Sequence, residues 1–213
     1  MMKLSNKKIL EECVMMKKVI TMLVLGVTIL STALLGGCGK SDPTISKEKT
    51  PYAIAKEKNA DGQYATDGYL TEKHPAVIKV KETVEGYTKA FTTADYKTTD
   101  GMEAYGYYTG AVLQTLKEKE DAAKSVKFHK DNYLITQFDS LKIDAMYINK
   151  DMNKAEIRGT YKKKYVEASD AYLKQRNMQK GDMYEKEFLF QAEKESDIWK
   201  ISYYKVGEEK PVK

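Results

Sequence analysis

The chain has 213 residues, of which 42% are hydrophobic and 31% are charged, and its formal net charge is +5. This composition is too apolar for a disordered chain and too polar for a protein with several membrane spans. Two cysteines and two histidines exclude a disulfide scaffold and a cysteine-based zinc site. We therefore expect one folded domain that holds no metal and no other cofactor.

The N-terminal segment has the pattern of an export signal. Lys17 and Lys18 precede an uncharged run over residues 19–35. A basic start, an apolar run and small residues are typical of a secretory signal, and this run is slightly short for a bilayer span. Because Met15 and Met16 directly precede the lysines, we expect the true start of translation at one of these two methionines.

The apolar run ends in the sequence Leu35-Gly36-Gly37-Cys38. This sequence resembles the lipobox of bacterial lipoproteins, in which a leucine three residues before the cysteine marks a cleavage site. The resemblance implies that residues 1–37 are removed, and that Cys38 is acylated and anchors the protein on the outer face of the cytoplasmic membrane. Stable anchoring needs two acyl chains. A plain transmembrane anchor is the alternative.

Removal of this signal segment changes the charge of the protein. Residues 1–37 hold five basic and two acidic side chains, which leaves 31 basic and 29 acidic residues in the mature chain. The mature chain therefore carries a charge of only +2, and we expect no nucleic-acid partner. Residues 38–72 are polar and lack apolar periodicity, which predicts a flexible tether. The folded domain is then expected over 73–213.

Two helices are predicted at the start of this domain. Pro75 suits a first helical turn, and apolar residues follow it at spacings of three and four, which gives one buried stripe. The stripe consists of Val77, Val80, Val84, Tyr87 and Phe91. A second helix is predicted over about 102–119 from a similar apolar spacing.

The hydrophobic period then changes to two, which predicts four strands. Apolar side chains alternate with polar ones over residues 141–147, 157–165, 184–192 and 199–203. Phe188, Phe190, Trp199 and Ile201 are the expected core residues of the last two strands. Strands with one apolar face indicate an antiparallel sheet covered on one side. We therefore expect an α+β fold, in which the N-terminal helices pack in a curved antiparallel sheet of about four strands.

This order of elements, which closes with Asp197-Ile198-Trp199-Lys200-Ile201, resembles the nuclear transport factor 2-like (SnoaL-like or cystatin-like) fold. In that family a curved sheet wraps around the helices and forms a cone with an open mouth, and Trp199 and Ile201 would point into it. Small Gram-positive lipoproteins often carry such a domain behind a polar tether. The family includes isomerases, hydrolases, scaffolds of secretion machines and binding modules, so the resemblance does not fix the activity.

The sequence offers no positive evidence for catalysis. Catalytic members of the superfamily use an Asp or His inside the cone, but Asp144 lies on the polar parity of its strand, and His129 lies in a charged segment. No nucleophile elbow or phosphate loop is present. We expect a non-enzymatic, lipid-anchored binding or protein-interaction domain. The alternatives are a small hydrolase or isomerase that uses the cone pocket, and a structural accessory of a secretion, conjugation or cell-wall complex.

A cluster of basic residues suggests an anionic partner. Residues 154–180 contain eight basic and three acidic side chains, a local charge of +5. Such a patch would face phospholipid or an anionic wall polymer. The alternative is a solvated strand face whose lysines protect a sheet edge from aggregation.

Two lysines on the apolar parity of neighbouring strands predict a more specific site. Lys163 follows Tyr161 and precedes Tyr165, and Lys186 follows Tyr184. If residues whose numbers sum to 349 are paired, Lys163 lies opposite Lys186, which is destabilising without compensation. We hypothesise that an anionic group, from a ligand or a buried glutamate, lies between these lysines and the tyrosine hydroxyls. A register two residues away, or a bulge, with both lysines reaching water is the alternative.

Overall fold

The structure, a computed structural model, describes residues 42–58 and 62–212, without the side chain of Glu57. The predicted signal segment, including Leu35, Gly36 and Gly37, lies outside these residues, as does Cys38. The α-helices of the described residues are α1 (Pro75–Thr92), α2 (Gly110–Glu118), α3 (Asp121–Asp131) and α4 (Asp170–Arg176). None of the described helices is long and apolar enough to cross a membrane.

Nine strands in the described ranges form one mixed sheet. They are β1 (Ile45–Ser46), β2 (Tyr52–Lys58), β3 (Tyr64–Leu70), β4 (Ala94–Asp95), β5 (Ile135–Asn149), β6 (Lys154–Glu167), β7 (Met183–Glu195), β8 (Ile198–Val206) and β9 (Lys210–Pro211). The strand order is β1-β3-β2-β5-β6-β7-β8, while β4 pairs with β5 and β9 pairs with β7. β2 runs parallel to β5, and the other pairs are antiparallel.

The expected fold, with helices packed in an antiparallel sheet of about four strands, is therefore wrong. The sheet has more than twice that number of strands, it is mixed, and three of its strands precede the first described helix. Those three strands lie in the segment 38–72 that was expected to be a tether. The described residues belong to one compact unit, so the fold starts well before residue 73.

The first strands are stabilised by pairing with distant parts of the chain. β2 aligns Tyr52–Ala55 with Met146–Asn149 of β5, and β3 joins β2 on the other side. Ala53 and Leu70 are buried in this arrangement. Strand stability depends on neighbouring strands more than on intrinsic propensity, which is why a local search for apolar periodicity misses this segment.

Helix α1 follows the predicted stripe except at its last member. The Nδ1 atom of His74 accepts a hydrogen bond from the backbone N–H of Ala76 at 3.2 Å and caps the helix. Three valines and Tyr87 of the stripe are buried against the sheet, whereas Phe91 is 43% exposed. Phe91 lies at the end of the helix, where the wall of a cavity begins.

The second predicted helix is divided into shorter elements. A 3-10 turn, Tyr105–Tyr107, precedes α2, and Thr109 caps α2 by accepting a hydrogen bond from Val112 N–H. The N–H of Thr109 donates to the carbonyl of Ile201 at 3.0 Å, which ties this junction to β8. The chain then turns at Glu120, with φ of 54°, and begins α3.

A β-bulge reverses the predicted parity at the end of β5. Leu141 and Ile143 pack against the core as their alternation predicts, but the pairing with β6 shifts between Ile143 and Ala145. A bulge inserts one residue and so exchanges the two faces beyond it. Met146 and Ile148 are therefore fully buried, and the predicted inward position of Ala145 and Tyr147 is wrong.

Strands β6 and β7 pair in a register two residues away from the hypothesised one. The numbers of the paired residues sum to 347, so Tyr161 lies opposite Lys186, and Lys163 lies opposite Tyr184. Phe188 faces Gly159, where an added Cβ would lie 2.9 Å from the phenylalanine ring. The Lys142 carbonyl of β5 would lie closer still, so only glycine fits at position 159, and it leaves room for the Phe188 ring opposite it in this register.

The core lies between α1 and the helix-side face of the sheet. Phe188 and Phe190 of β7 are buried there, and so are Trp199 and Ile201 of β8. The rings of Phe188 and Phe190 stack with their centroids 4.3 Å apart. This packing fixes the face of β6 and β7 from which the lysines project.

Candidate ligand-binding cavity

A cavity of about 470 Å³ lies between the C-terminal end of α1, the segment that follows it, α3 and the helix-side face of the sheet. Lys163 and Lys186, both from the central strands, lie in its wall. The apolar residues Phe91 and Phe128 line it from α1 and α3, respectively, and each is 43% exposed. The volume lies in the range of small-molecule sites.

Three cations in the cavity wall converge on one carboxylate. Oε1 of Glu209 lies 2.6 Å from Nζ of Lys163 and 3.4 Å from Nζ of Lys186, and Oε2 lies 3.6 Å from Nη1 of Arg176. The Glu209 side chain is 4% exposed, whereas those of Lys163 and Lys186 are 15% and 21% exposed. We call these four residues the cavity cluster. With three positive charges against one, it has a net charge of +2.

Burial and neighbouring charge act in opposite directions on Glu209 and Lys163. Burial alone would raise the pKa of Glu209, but the positive charges of Lys163 and Lys186 outweigh it, so this pKa lies below its usual value. Burial lowers the pKa of Lys163, and Glu209 opposes that shift. The buried lysine therefore depends on a neighbouring anion to stay charged.

A tyrosine hydroxyl beside the cavity cluster gives Glu209 a further, neutral hydrogen-bond donor. The hydroxyl of Tyr165 lies 3.0 Å from each carboxylate oxygen of Glu209 and 3.2 Å from the hydroxyl of Tyr172. Burial, followed by the charge of Glu209, raises the pKa of both Tyr161 and Tyr165, so both keep their protons at neutral pH. Tyr165 therefore donates a hydrogen bond to Glu209 and adds no negative charge of its own.

The structure brings four of the five hypothesised site residues to the cavity. Lys163, Lys186, Tyr161 and Tyr165 all line it. Tyr184 does not, because its ring packs behind that of Tyr165, with centroids 5.6 Å apart, and its hydroxyl accepts a hydrogen bond from the N–H of Gln179 at 2.9 Å.

Sequence reasoning missed two members of the cavity cluster. Arg176 is the last residue of α4, and Glu209 lies between β8 and β9. α4 starts at its cap Ser169 and ends at Asn177, which has φ of 52°. No local pattern singles out Glu209, because only the pairing of β9 with β7 brings it to the lysines.

The catalytic candidates of the sequence do not form an acid–base pair. Nδ1 of His129 lies 2.8 Å from the carbonyl oxygen of Ser125 and 3.5 Å from its hydroxyl. Because a carbonyl oxygen only accepts, Nδ1 must keep its proton and cannot take one from the serine. Asp131 pairs with Lys127, and Asp144 pairs with Lys142. The described residues contain no group of three or more metal-ligating side chains.

Comparisons with known proteins add little to this geometry. No family model matches the chain, and no curated protein matches it. Among solved structures, the chain is similar to the intermembrane space region of the chloroplast protein ARC6, with 15% identity and a TM-score of 0.40. The match covers 60% of this chain and 92% of the ARC6 chain. A likeness this weak carries no argument about fold or function.

Proposed function

We propose that this chain is a lipid-anchored, non-enzymatic binding domain on the outer face of the cytoplasmic membrane, and that the cavity is its binding site. The proposed anchor rests on Cys38 and the lipobox-like residues before it. The observation that carries the binding proposal is the convergence of three cations on one carboxylate in the wall of an open cavity. Lys163 and Lys186 are largely withdrawn from water, and an ion pair with this desolvation cost is weak evidence for a role in stability alone.

The same geometry favours binding over catalysis. The cations of the cavity cluster are already matched to an anion, and Tyr165 is held neutral. Ser125 and His129 also line the cavity, but Nδ1 of His129 is bonded to the Ser125 carbonyl and does not activate the Ser125 hydroxyl. Such a set of donors suits the recognition of a negative group.

The anchor is tested by Cys38→Ser in the full chain. We expect the variant to lose labelling by a fatty-acid analogue and to accumulate as an uncleaved precursor, because the acylated thiol is the proposed anchor. Cys13→Ser, which lies upstream of the expected start at Met15 or Met16, should keep both labelling and cleavage. Labelling of the Cys38→Ser variant would contradict the anchor.

The binding site is tested by the small molecules that the protein retains from an extract of its cells. Mass spectrometry should detect a ligand with the wild type and much less of it with Lys163→Met/Lys186→Met. Lys162→Met/Lys164→Met makes the same charge change beside Lys163, at residues of β6 outside the cavity lining, and it should retain the ligand. Equal retention by all three proteins, or none by the wild type, would contradict the proposal.

A further inference from the structure

Glu209 reaches the cavity cluster from a segment that few interactions hold. We call residues 207–212 the strap. Its backbone is attached to β7 through the short strand β9, with one hydrogen bond from Gly207 N–H to the Glu187 carbonyl and one from Val212 N–H to the Met183 carbonyl, each 2.9 Å. The ion pair between Lys210 and Glu187 is exposed on both sides and therefore contributes little.

The donors around Glu209 match the two oxygens of a carboxylate. Lys163 and Lys186 reach Oε1, Arg176 reaches Oε2, and the Tyr165 hydroxyl lies equally close to both. Every one of these donors belongs to a long strand or to α4. Regular secondary structure therefore holds the donors in place, whereas the Glu209 carboxylate comes from the weakly held strap.

The space beside this donor set is lined by aromatic rings. Phe91 stacks on Tyr87 with ring centroids 5.6 Å apart, and it lies 6.2 Å from the ring of Tyr204. Phe128 lines the cavity from α3. Large apolar side chains that remain exposed in a concave site favour an apolar ligand body.

We infer that the ligand of this cavity is a carboxylic acid with an apolar or aromatic body, whose carboxylate takes the place of Glu209 in the cavity cluster. This inference rests on the proposed function. The ligand's carboxylate reproduces the contacts of Glu209 one for one, so no donor is left unpaired by the exchange. Its body lies against Phe91 and Phe128, and the strap leaves β7 as Glu209 moves into water.

Competition between Glu209 and the ligand makes affinity depend on the strap. While Glu209 fills the cavity cluster, only a fraction of the protein is competent to bind, and the apparent affinity falls by that fraction. Removal of the competing carboxylate must therefore tighten binding. Glu208 offers a matched control, because it lies on the same strap with the same charge but is exposed and outside the cavity lining.

The test uses the full chain in lipid nanodiscs and 4-phenylbutyrate as the probe, with empty nanodiscs to subtract partition into lipid. Calorimetric titration should show Glu209→Gln binding the probe roughly tenfold or more tighter than the wild type, whereas Glu208→Gln should bind as the wild type does. In the wild type, hydrogen exchange at the strap amides should accelerate when the probe binds. This second readout does not depend on how well Glu209→Gln folds.

Neutral 4-phenylbutanol and phenyl phosphate separate the alternatives. The alcohol should bind more weakly and leave exchange at the strap unchanged. Binding of phenyl phosphate with an undisturbed strap would mean that a dianion neutralises the net +2 charge beside Glu209. That result would overturn the carboxylate inference and leave the proposed binding function intact. Failure of 4-phenylbutyrate to bind either protein would also overturn it, and the retention experiment would then decide the proposed function separately.

Discussion

Two buried glutamates lie on opposite faces of the same sheet, and each neutralises more than one cation. Glu156 of β6, on the outer face, is 2% exposed and lies 2.8 Å from Nζ of Lys58 and 2.7 Å from Nη2 of Arg158. Glu209, on the helix-side face, is 4% exposed and neutralises the cations of the cavity cluster. The two sites are almost alike in residue type, and the second lines the cavity described above.

The first difference lies in how the backbone of each glutamate is held. Glu156 occupies the middle of a long strand and pairs with Tyr147 of β5 and Gln191 of β7. Its backbone cannot move away from these cations without breaking the strand pairs on both sides. Glu209 lies on the strap, which joins the sheet at one edge only. The ion pairs of Glu156 are therefore fixed by the sheet, whereas the carboxylate of Glu209 can be exchanged for another.

The second difference lies in the hydration of the cations. The side chains of Lys58 and Arg158 are 38% and 48% exposed, so they reach water if their carboxylate is removed. Arg176, at 45%, is about as exposed as Arg158, but Lys163 and Lys186 are much less exposed than Lys58, so water solvates their charges less. If its carboxylate is removed, the cavity cluster is therefore stabilised more by a replacement anion than the charge cluster around Glu156 is.

The largest expected effect comes from the core that supports both clusters. Trp199→Ala should lower the free energy of unfolding by roughly 3–5 kcal/mol, because loss of the buried ring leaves a void in the core. Tyr203→Ala, at an exposed position of the same strand, is the control and should change it by less than about 0.5 kcal/mol. Denaturant titration measures both. A loss below about 1 kcal/mol for Trp199→Ala would show that the ring does not pack as the structure has it.

The next effect separates the two clusters. Glu209→Gln should cost roughly 3 kcal/mol, the lower end for removing one partner of a buried ion pair. Glu156→Gln should cost about 1–2 kcal/mol, because its cations turn to water and mainly charged hydrogen bonds are lost. Acetate, compared with chloride at equal ionic strength, should restore stability to Glu209→Gln and not to Glu156→Gln. Equal costs and equal acetate effects would remove the distinction between the clusters.

The sequence predicts those elements whose own periodicity reports their burial. The spacing in α1 and the alternation in β5 to β8 locate these elements because each buries one face against the same core. β1 to β3 carry no such signal, since β2 is stabilised by its parallel pairing with β5. The bulge after Ile143 likewise follows from strand pairing, and no local pattern reveals it.

The candidate site likewise has one part that the sequence predicts and another that it does not. Parity alone predicts that Lys163 and Lys186 share a face with Tyr161 and Tyr165. The register is harder, because pairings whose sums are 347 and 349 preserve that parity and both bring aromatic residues together. The contact of Phe188 with Gly159 is a steric fact that appears only in three dimensions. Glu209 lies in a segment without apolar periodicity, so only the three-dimensional course of the strap reveals its contacts with the lysines.

The smallest effect is the pH dependence that each glutamate adds to stability. Burial tends to raise the pKa of Glu156, but hydrogen bonds from Lys58 and Arg158 outweigh it, and the pKa of Glu156 is lowered, as is that of Glu209. A carboxyl group with a lowered pKa in the folded state binds fewer protons there than in the unfolded chain. Its contribution is therefore complete above the unfolded value of about 4.5 and is lost as the pH falls through the folded value.

Each Gln variant should flatten this acid limb of the stability curve by at most about 1.4 kcal/mol per pH unit, the limit for one proton. Unfolding free energies measured between about pH 2 and pH 5 give the slope. Because the clusters lie on opposite faces of the sheet, the flattening should add in the double variant Glu156→Gln/Glu209→Gln. Glu208→Gln should leave the slope as it is in the wild type. An unchanged slope in Glu209→Gln, with a reduced slope in Glu156→Gln, would mean that the Glu209 carboxylate already lies in water, and that the cavity cluster is open without any ligand.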